Sequence, residues 1–506
     1  MATGTDTILG SVPALWDEVT RRVAAACRFA DLFGTAHHQG GLLLTAHLVG
    51  PAGLETRQAL LPSGARSYPA LTPRLGAAFW YEREIRDMFG VVPEGHPRPQ
   101  PLILATAGDP PRPGSGSQPG AAEREPEVLP SHVAGPGLFT IPHGPVRSGV
   151  VESIEYLVET PGEDIPHLNM RVFYKHRGLE KRFEGMTSSD GVLLAERTEG
   201  IATVAHALAY CHALERMAGA EVPWAASLVR VIHAELERLA CHLDVIVRLA
   251  DGAGLAVATA RFGWHKEQVL RLVSQLCGSR FGRGVVIPGG VQGLPRVAPA
   301  ELLTILTGLD RKLGADLRVL RGTASFLDRL RRTGPLPPPR AHEHGALGPI
   351  GRGCGGTDDG RAARPYDAYG SLSVRVASRP AGDALARLEV RVEEIAQSFH
   401  LLRQATDELA GELAGGADGE LGGAAGGPVR VPCDPAEGRA VGWAEAPQGE
   451  VLYDVSISGG RIARCRARSA SFHNLVLMHE VFAGDILTDF PFIEASFGLS
   501  LAGVAR

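Results

Sequence analysis

Lysine is nearly absent. Of 51 basic residues in a chain of 506, only Lys175, Lys181, Lys266 and Lys312 are lysines, and the rest are arginines. Those 51 face 56 acidic residues, a net charge of −5. The positive footprint of a nucleic-acid binder is missing, and no nucleic-acid partner is expected. No run of about 18 apolar residues occurs, so no segment reads as a membrane span. The N-terminus carries acidic residues and no apolar stretch, so it does not read as a secretory signal. The seven cysteines, at 27, 211, 241, 277, 354, 433 and 465, are never closer than 30 residues. No C-x-x-C pair exists, which disfavours zinc ribbons and local iron–sulfur runs. Widely spaced cysteines in odd number are expected to be buried, reduced thiols in a cytoplasmic protein.

The length suggests two to four domains at roughly 150 residues each. With 44% apolar and 21% charged residues, the composition is that of a soluble globular protein. Residues 1–104 read as a small α/β unit. Leu15, Val19 and Val23 recur at helical spacing, residues 41–48 form a strand pattern, and 77–89 read as a short helix ended by Gly90. Residues 105–136 are Pro/Gly-rich with few large apolar side chains and read as a linker. From Leu138 onward, strands are expected at 153–160 and 169–174. Helices are expected at 191–219, 223–250, 262–278, 300–332 and 383–413, and a hairpin at 451–466 around Gly459-Gly460. The expected fold is α+β: a small α/β N-terminal domain (1–104), a linker (105–136), and a large domain (137–506) that is mainly a helical bundle with flanking β-structure.

Two patterns carry little weight. Residues 351–356 satisfy G-x-G-x-x-G but lie in a Pro/Gly loop with no strand before them, so no dinucleotide site is expected there. His206, Cys211, His212, His233, Cys241 and His242 fall on two expected helices, but His206 and Cys211 diverge at i,i+5, and buried core roles are favoured over a metal.

Other motifs occur in order. Glu82-Arg83-Glu84-Ile85-Arg86-Asp87-Met88-Phe89-Gly90 alternates charge at helical offsets, which on its own reads as a salt-laced surface helix. With Gly95-His96-Pro97 it resembles the 30 kDa (C-type) subunit of respiratory complex I. His176-Arg177-Gly178-Leu179-Glu180-Lys181 resembles the H-R-G-x-E-K signature of the complex I 49 kDa (D-type) subunit and of group 4 [NiFe] hydrogenase large subunits. Glu235-Leu236-Glu237-Arg238-Leu239 and Pro365-Tyr366-Asp367-Ala368-Tyr369 resemble that family's E-x-E-R-L helix and P-Y-x-x-Y loop, and Gly144-Pro145 its G-P-x-H loop. The order, small subunit then large, is that of hydrogenlyase-type or hydrogenase-4 fusions.

The resemblance implies a site whose ligands have changed. A Ni–Fe centre needs four thiolates. Here Glu199, Ala202, Ser500 and Gly503 occupy the family's cysteine positions. No metal is expected on this chain, and hydrogenase activity is not expected. The quinone-binding histidine and tyrosine positions hold Val151 and Gly200, neither of which offers a side-chain donor, and the G-P-x-H histidine is Arg147. An altered quinone-type pocket is expected to use Arg147 and His143. Glu152 and Glu199 are the expected proton-handling carboxylates, with Arg147, Arg177 or Arg197 as counter-ions. His176 and Arg177 complete the expected site, Arg177 approaching an iron–sulfur cluster in a neighbouring subunit or else pairing with Glu180. The resemblance further implies a chain without a cofactor of its own, with NAD and quinone as properties of a whole complex. Its partners would be an iron–sulfur (B-type or hydrogenase small) subunit and antiporter-like and H-type membrane subunits. It would sit in the cytoplasm, peripheral on the inner face of the cell membrane.

Overall fold

The computed structural model describes residues 7–51, 53–103, 135, 137–147, 152–415 and 429–506. The expected linker, except Gly135, and the position of Val151 lie outside the described residues. Ser11 caps the Val12–Ala24 helix, accepting from the Ala14 amide at 3.3 Å, and Val12, Leu15, Trp16 and Val19 turn one apolar face inward. That face covers a sheet of Thr7–Leu9, Gly53–Leu61, Leu42–Gly50 and Arg28–Ala36 in this spatial order, parallel at the first pair and antiparallel after it.

The Phe79–Phe89 helix ends at Gly90, whose φ of 70° is the left-handed conformation a helix stop requires. Its acids are not surface charges. Glu82 is fully buried and accepts from the Leu71 and Thr72 amides, each at 2.8 Å, while Asp87 accepts from the Leu102 and Ile103 amides. Glu84 reaches the large unit, bonding Arg466 and Arg506 at 2.8 Å. The sign alternation that suggested a solvated helix reflects instead a helix whose carboxylates pin surrounding loops.

The large unit is organised by the helices Thr203–Ala218, Trp224–Gly252, Ala256–Cys277, Pro299–Arg321 and Ala384–Gly415. Two long expected helices are each broken. The 191–219 stretch divides into Ser188–Ala195 and Thr203–Ala218, and the 300–332 stretch into Pro299–Arg321 and Ala324–Leu330. The first break has a tertiary cause: Glu237 accepts from the Val204 and Ala205 amides at 2.6 and 3.1 Å and so caps a new helix start after Gly200. The expected hairpin is present as Gly449–Ser458 and Arg461–Arg468, turning through Gly459 and Gly460 at φ 59° and 69°. A third strand, Gly438–Ala446, completes an antiparallel sheet. Gly442 lies so close to the Thr203–Ala218 backbone that a Cβ there would overlap Ala209 O. Strands at Glu155–Thr160 and His167–Arg171 match the two expected ones within a few residues and pair with Phe139–His143.

Arginine rather than lysine explains the interior. Arg230, Arg238, Arg352, Arg361, Arg387, Arg391, Arg466 and Arg468 are almost fully buried. Planar guanidinium forks satisfy several acceptors at once, which an ammonium does not. The E-x-E-R-L and P-Y-x-x-Y motifs meet in one such cluster. Glu235 accepts from Arg361 at 3.0 Å and from the hydroxyls of Tyr369 and Ser398 at 2.6 Å, and Asp367 holds Arg230 and His212 at 3.0 Å. Arg352, from the G-x-G-x-x-G stretch, binds Glu394 and Glu445 at 2.9 Å, so that loop serves the bundle core.

The two units share an apolar core in which Phe29 and Tyr81 pack with Phe472. Buried polar pairs cross between them as well: Asp31 to Arg466 at 2.9 Å, Arg28 to Glu450 at 2.8 Å, His47 to Asp454 at 2.9 Å and Tyr81 to His473 at 2.7 Å. All seven cysteines are free; Cys277 is half-buried and the other six are buried.

Candidate functional site

The turn before the Thr203–Ala218 helix, the segment leading into the Glu155–Thr160 strand and the C-terminal tail converge on Glu199 and Glu152. Glu199 is buried, 1% exposed. Its Oε2 lies 3.1 Å from His206 Nε2, and its Oε1 accepts from the Ser471 hydroxyl at 2.8 Å. His206 Nδ1 is 2.9 Å from the Tyr453 hydroxyl, which is 3.0 Å from that of Thr198. Every link in this row is a group that both donates and accepts, or changes role with tautomer, so reversing the row moves one proton across it without moving a heavy atom.

Ser471 also accepts from the Ser500 amide at 3.1 Å, and the Ser500 hydroxyl donates to Glu152 at 2.9 Å. The exposed Glu152 accepts from the Leu501 and Ala502 amides too, capping the tail helix Leu501–Val504. Glu199 inside and Glu152 at the surface are therefore joined through Ser471 and Ser500.

The arginines behave differently from expectation. Arg177 donates to three carbonyls, Arg197 O at 2.8 Å and Thr198 O and Ala502 O at 2.5 Å, clamping the 197–198 turn to the tail. Arg197 donates to Leu193 O and lies 3.6 Å from Glu196, and Arg147 binds Glu494 at 2.8 Å. None of the three pairs with Glu199, whose carboxylate oxygens meet His206 and Ser471 instead. Arg177 does not pair with Glu180 either. Glu180 bonds Arg464, Arg466 and Arg506; burial pushes its carboxyl up, but these guanidinium groups outweigh it and hold the carboxyl well below its usual range. His176 is exposed beside Phe173 and stands outside the hydrogen-bonded row.

His143 and Arg147 belong to a different cluster. Arg147 lies over the Tyr156 ring, the Tyr156 hydroxyl donates to Glu494 at 2.8 Å, and His143 packs edge-on against Phe490. They share partners with each other and not with Glu199. His206, Tyr453, Thr198 and Ser471 are the site residues that sequence reasoning missed. Only the seven-residue offset from Glu199 to His206, two helical turns, hinted at one of them. The remaining histidines of the two helices separate: His212 bonds Trp443 O and Asp367, and His242 bonds Glu394. Among the described residues no group of three His, Cys, Asp or Glu side chains is arranged to hold a metal.

The residues present do not fit a Ni–Fe centre. Ala202 and Gly503 have no donor atoms, and a Cβ built on Gly503 would overlap Glu199 Oε2. The carboxylate fills the space that a side chain at position 503 would need.

Glu237, which caps the helix of His206, is half-buried against apolar neighbours, and the loss of water around it pushes its carboxyl up to about 8. A raised folded-state value means that the folded protein holds this proton more tightly than the unfolded chain. Its stabilising contribution is full below the ordinary carboxylate value and is lost as pH rises through about 8. Wild type is expected to lose thermal stability between about pH 5 and about pH 8.5, and Glu237→Gln to lose less over that window. Melting curves at the two pH values measure the difference; equal slopes would count against the assignment.

A helical bundle with a flanking antiparallel sheet, carrying its α/β companion on the same chain, defines a complex I-type large subunit fused to its small neighbour. The chain belongs to the family of the respiratory-chain NADH dehydrogenase 49 kDa subunit, matched over 255–419 and 429–506, and residues 15–113 match the 30 kDa subunit of the same enzyme. The D-type subunit of NADH-quinone oxidoreductase from Saccharopolyspora erythraea is 30% identical, over 74% of this chain and 90% of the relative. Formate hydrogenlyase subunit 5 of Escherichia coli is 28% identical, over 85% and 75%. The fused C/D-type subunit of NADH-quinone oxidoreductase from Nitrosospira multiformis is 28% identical, over 87% and 78%. A chain in the structure of the membrane-bound sulfane sulfur reductase, an archaeal respiratory membrane complex, has the same fold, with a TM-score of 0.67 at 24% identity over 73% of this chain and 99% of that one. Among the described residues no helix is long and apolar enough to cross a membrane.

Proposed function

We propose that this chain is the large subunit of a membrane-associated, complex I-like or energy-converting-hydrogenase-related oxidoreductase that works without a Ni–Fe centre. In this reading it lies peripherally on the inner face of the cell membrane, between an iron–sulfur subunit and antiporter-like and H-type membrane subunits. Arg177 faces the neighbour's cluster, where a fixed cation raises a cluster's potential. NAD and quinone act at the level of the complex. The pocket at the family's thiolate positions handles protons, with Glu199 and Glu152 as its carboxylates and His206 beside Glu199 as the exchanging imidazole.

The observation that supports this most is the Glu199 carboxylate, which takes the space beside Gly503 and is bonded to His206 and Ser471. Elemental analysis of the purified chain, freed of partner subunits, is the test of the missing centre. Nickel far below one atom per chain is expected, and stoichiometric nickel would sink the reading.

A further inference from the structure

Two neighbouring helices of the bundle turn apolar side chains out to water. On the Ala256–Cys277 helix, Val257, Arg261 and Trp264 lie four and three residues apart and share one side. On the Pro299–Arg321 helix, Lys312, Asp316 and Val319 do the same. The two sides meet as an antiparallel ladder. The Lys312 ammonium stands 5.6 Å from the centroid of the Trp264 ring, and Arg261 binds Asp316 at 2.9 Å. The same progression along both helices puts Val257 at the level of Val319. Val257 is 78% exposed, Val319 72% and Trp264 44%. Among the described residues only Val146 is a large apolar side chain more open than these two valines. Single exposed apolar residues are ordinary, but a group of them bordered by charge of one sign marks an interaction surface.

That border is basic. Arg311 and Arg318, seven residues apart, flank Lys312 and Val319 on the same helix, and Arg321 follows at its end. All three arginines are exposed, and among the described residues none has a carboxylate partner; Arg318 donates only to Gly314 O of its own helix, at 3.3 Å. The nearby acids are already matched, Asp316 by Arg261 and His265, and Asp310 by Arg403 at 2.9 Å. Residues 311–321 thus hold four cations and one acid in a chain whose net charge is −5. We propose that this face rests directly on an anionic lipid surface, with Val257, Val319 and the Trp264 indole among the headgroups and Arg311, Arg318 and Arg321 on their phosphates.

The chemistry favours lipid over a folded partner. Protein interfaces anchor their protruding apolar side chains in pockets of fixed shape and pair their charges one to one. Here the apolar tips stand on the convex backs of two helices, with unpaired cations spread beside them, which suits headgroups that can rearrange around each side chain. Indole rings belong at the boundary between water and hydrocarbon, and guanidinium forks match phosphate oxygens. The contact goes beyond the reading above, because it needs none of the membrane subunits proposed there.

The test is sedimentation of the purified full chain with vesicles of phosphatidylcholine alone and of phosphatidylcholine with phosphatidylglycerol. Saturable binding is expected to the anionic vesicles, about tenfold or more tighter than to the neutral ones and weakened by salt. Arg311→Glu with Arg318→Glu, and separately Val257→Asp with Val319→Asp, are each expected to weaken it about tenfold at unchanged melting temperature, since all four side chains are exposed. Brominated lipid is expected to quench tryptophan emission in the wild type and to lose most of that effect in Trp264→Phe. Equal binding to both kinds of vesicle, no saturable binding, double variants that bind like wild type, or quenching that survives Trp264→Phe overturns the proposal. Soluble polyglutamate that binds as tightly as the anionic vesicles also overturns it and assigns the face to an acidic protein. Failure on any of these counts leaves the nickel measurement, and the oxidoreductase reading it tests, untouched.

Discussion

Glu199→Gln is expected to lower turnover of the assembled complex by about 100-fold, the lower end of what a positioned acid–base group contributes. Glutamine keeps the shape of the side chain and can still accept from Ser471 and face His206 Nε2, so the turn stays in place. It cannot take up or release a proton, and the row from Thr198 through Tyr453 and His206 then ends at a group of fixed protonation. The measurement is turnover and ion movement in membranes carrying the assembled complex, with Ser471→Ala as a companion. Removing that hydroxyl breaks the link to Ser500 and Glu152 while leaving Glu199 and His206 paired, so a smaller loss is expected. A glutamine variant that turns over and pumps at the wild-type rate would show that the carboxylate handles no protons and would favour a scaffold role.

Arg466→Met is expected to destabilise the protein by about 3–5 kcal/mol, because it strands buried carboxylates rather than removing a surface pair. Arg466 holds Asp31 at 2.9 Å and Glu84 at 2.8 Å from the small unit, and Glu180 at 3.2 Å from the H-R-G-x-E-K segment. Methionine replaces the aliphatic stem against Phe33 and Phe472 but leaves the buried Asp31 without its guanidinium partner, and Glu84 and Glu180 with Arg506 and Arg464 alone. A fall in Tm of about 8 °C or more follows for units of this size. The pH dependence has a definite sign. The arginines around Glu180 depress its folded-state value, so their contribution is present above the ordinary carboxylate range and is lost as pH falls through the lower, folded value. The gap between wild type and variant is therefore expected to be widest near neutrality and to narrow as pH drops toward about 3. A deficit independent of pH would point to lost packing instead of lost charge pairing.

A second arginine, Arg506, shows how the small unit reaches the site. Glu84 and Glu180 hold Arg506 at 2.8 and 3.0 Å, and Arg506 closes the tail that carries Ser500 and Ala502. The E-R-E-x-x-D helix, which the resemblance assigned to docking a neighbouring subunit, here anchors the large unit of its own chain.

Much of the fold is legible in the order of residues alone. Local periodicity marks the long helices, the glycine pair marks the hairpin turn, and the ordered motifs, each tied to backbone or charge requirements, mark the family and the altered cysteine positions. Those features depend on residues near one another in the chain. What escapes a linear reading is set by contacts across hundreds of residues. The partners of Glu199 include Ser471, 272 positions away, and Tyr453 reaches His206 across 247. The break before Thr203 depends on a cap supplied by Glu237, and the buried state of Glu82, Glu84 and Asp87 on loops and a second unit folding over them. Charge alternation along a helix reads the same whether water or a protein interior surrounds it. Which of the two applies, and which donor meets a buried carboxylate, is settled by the packing of distant segments, where the cost of an unpaired charge selects the partner.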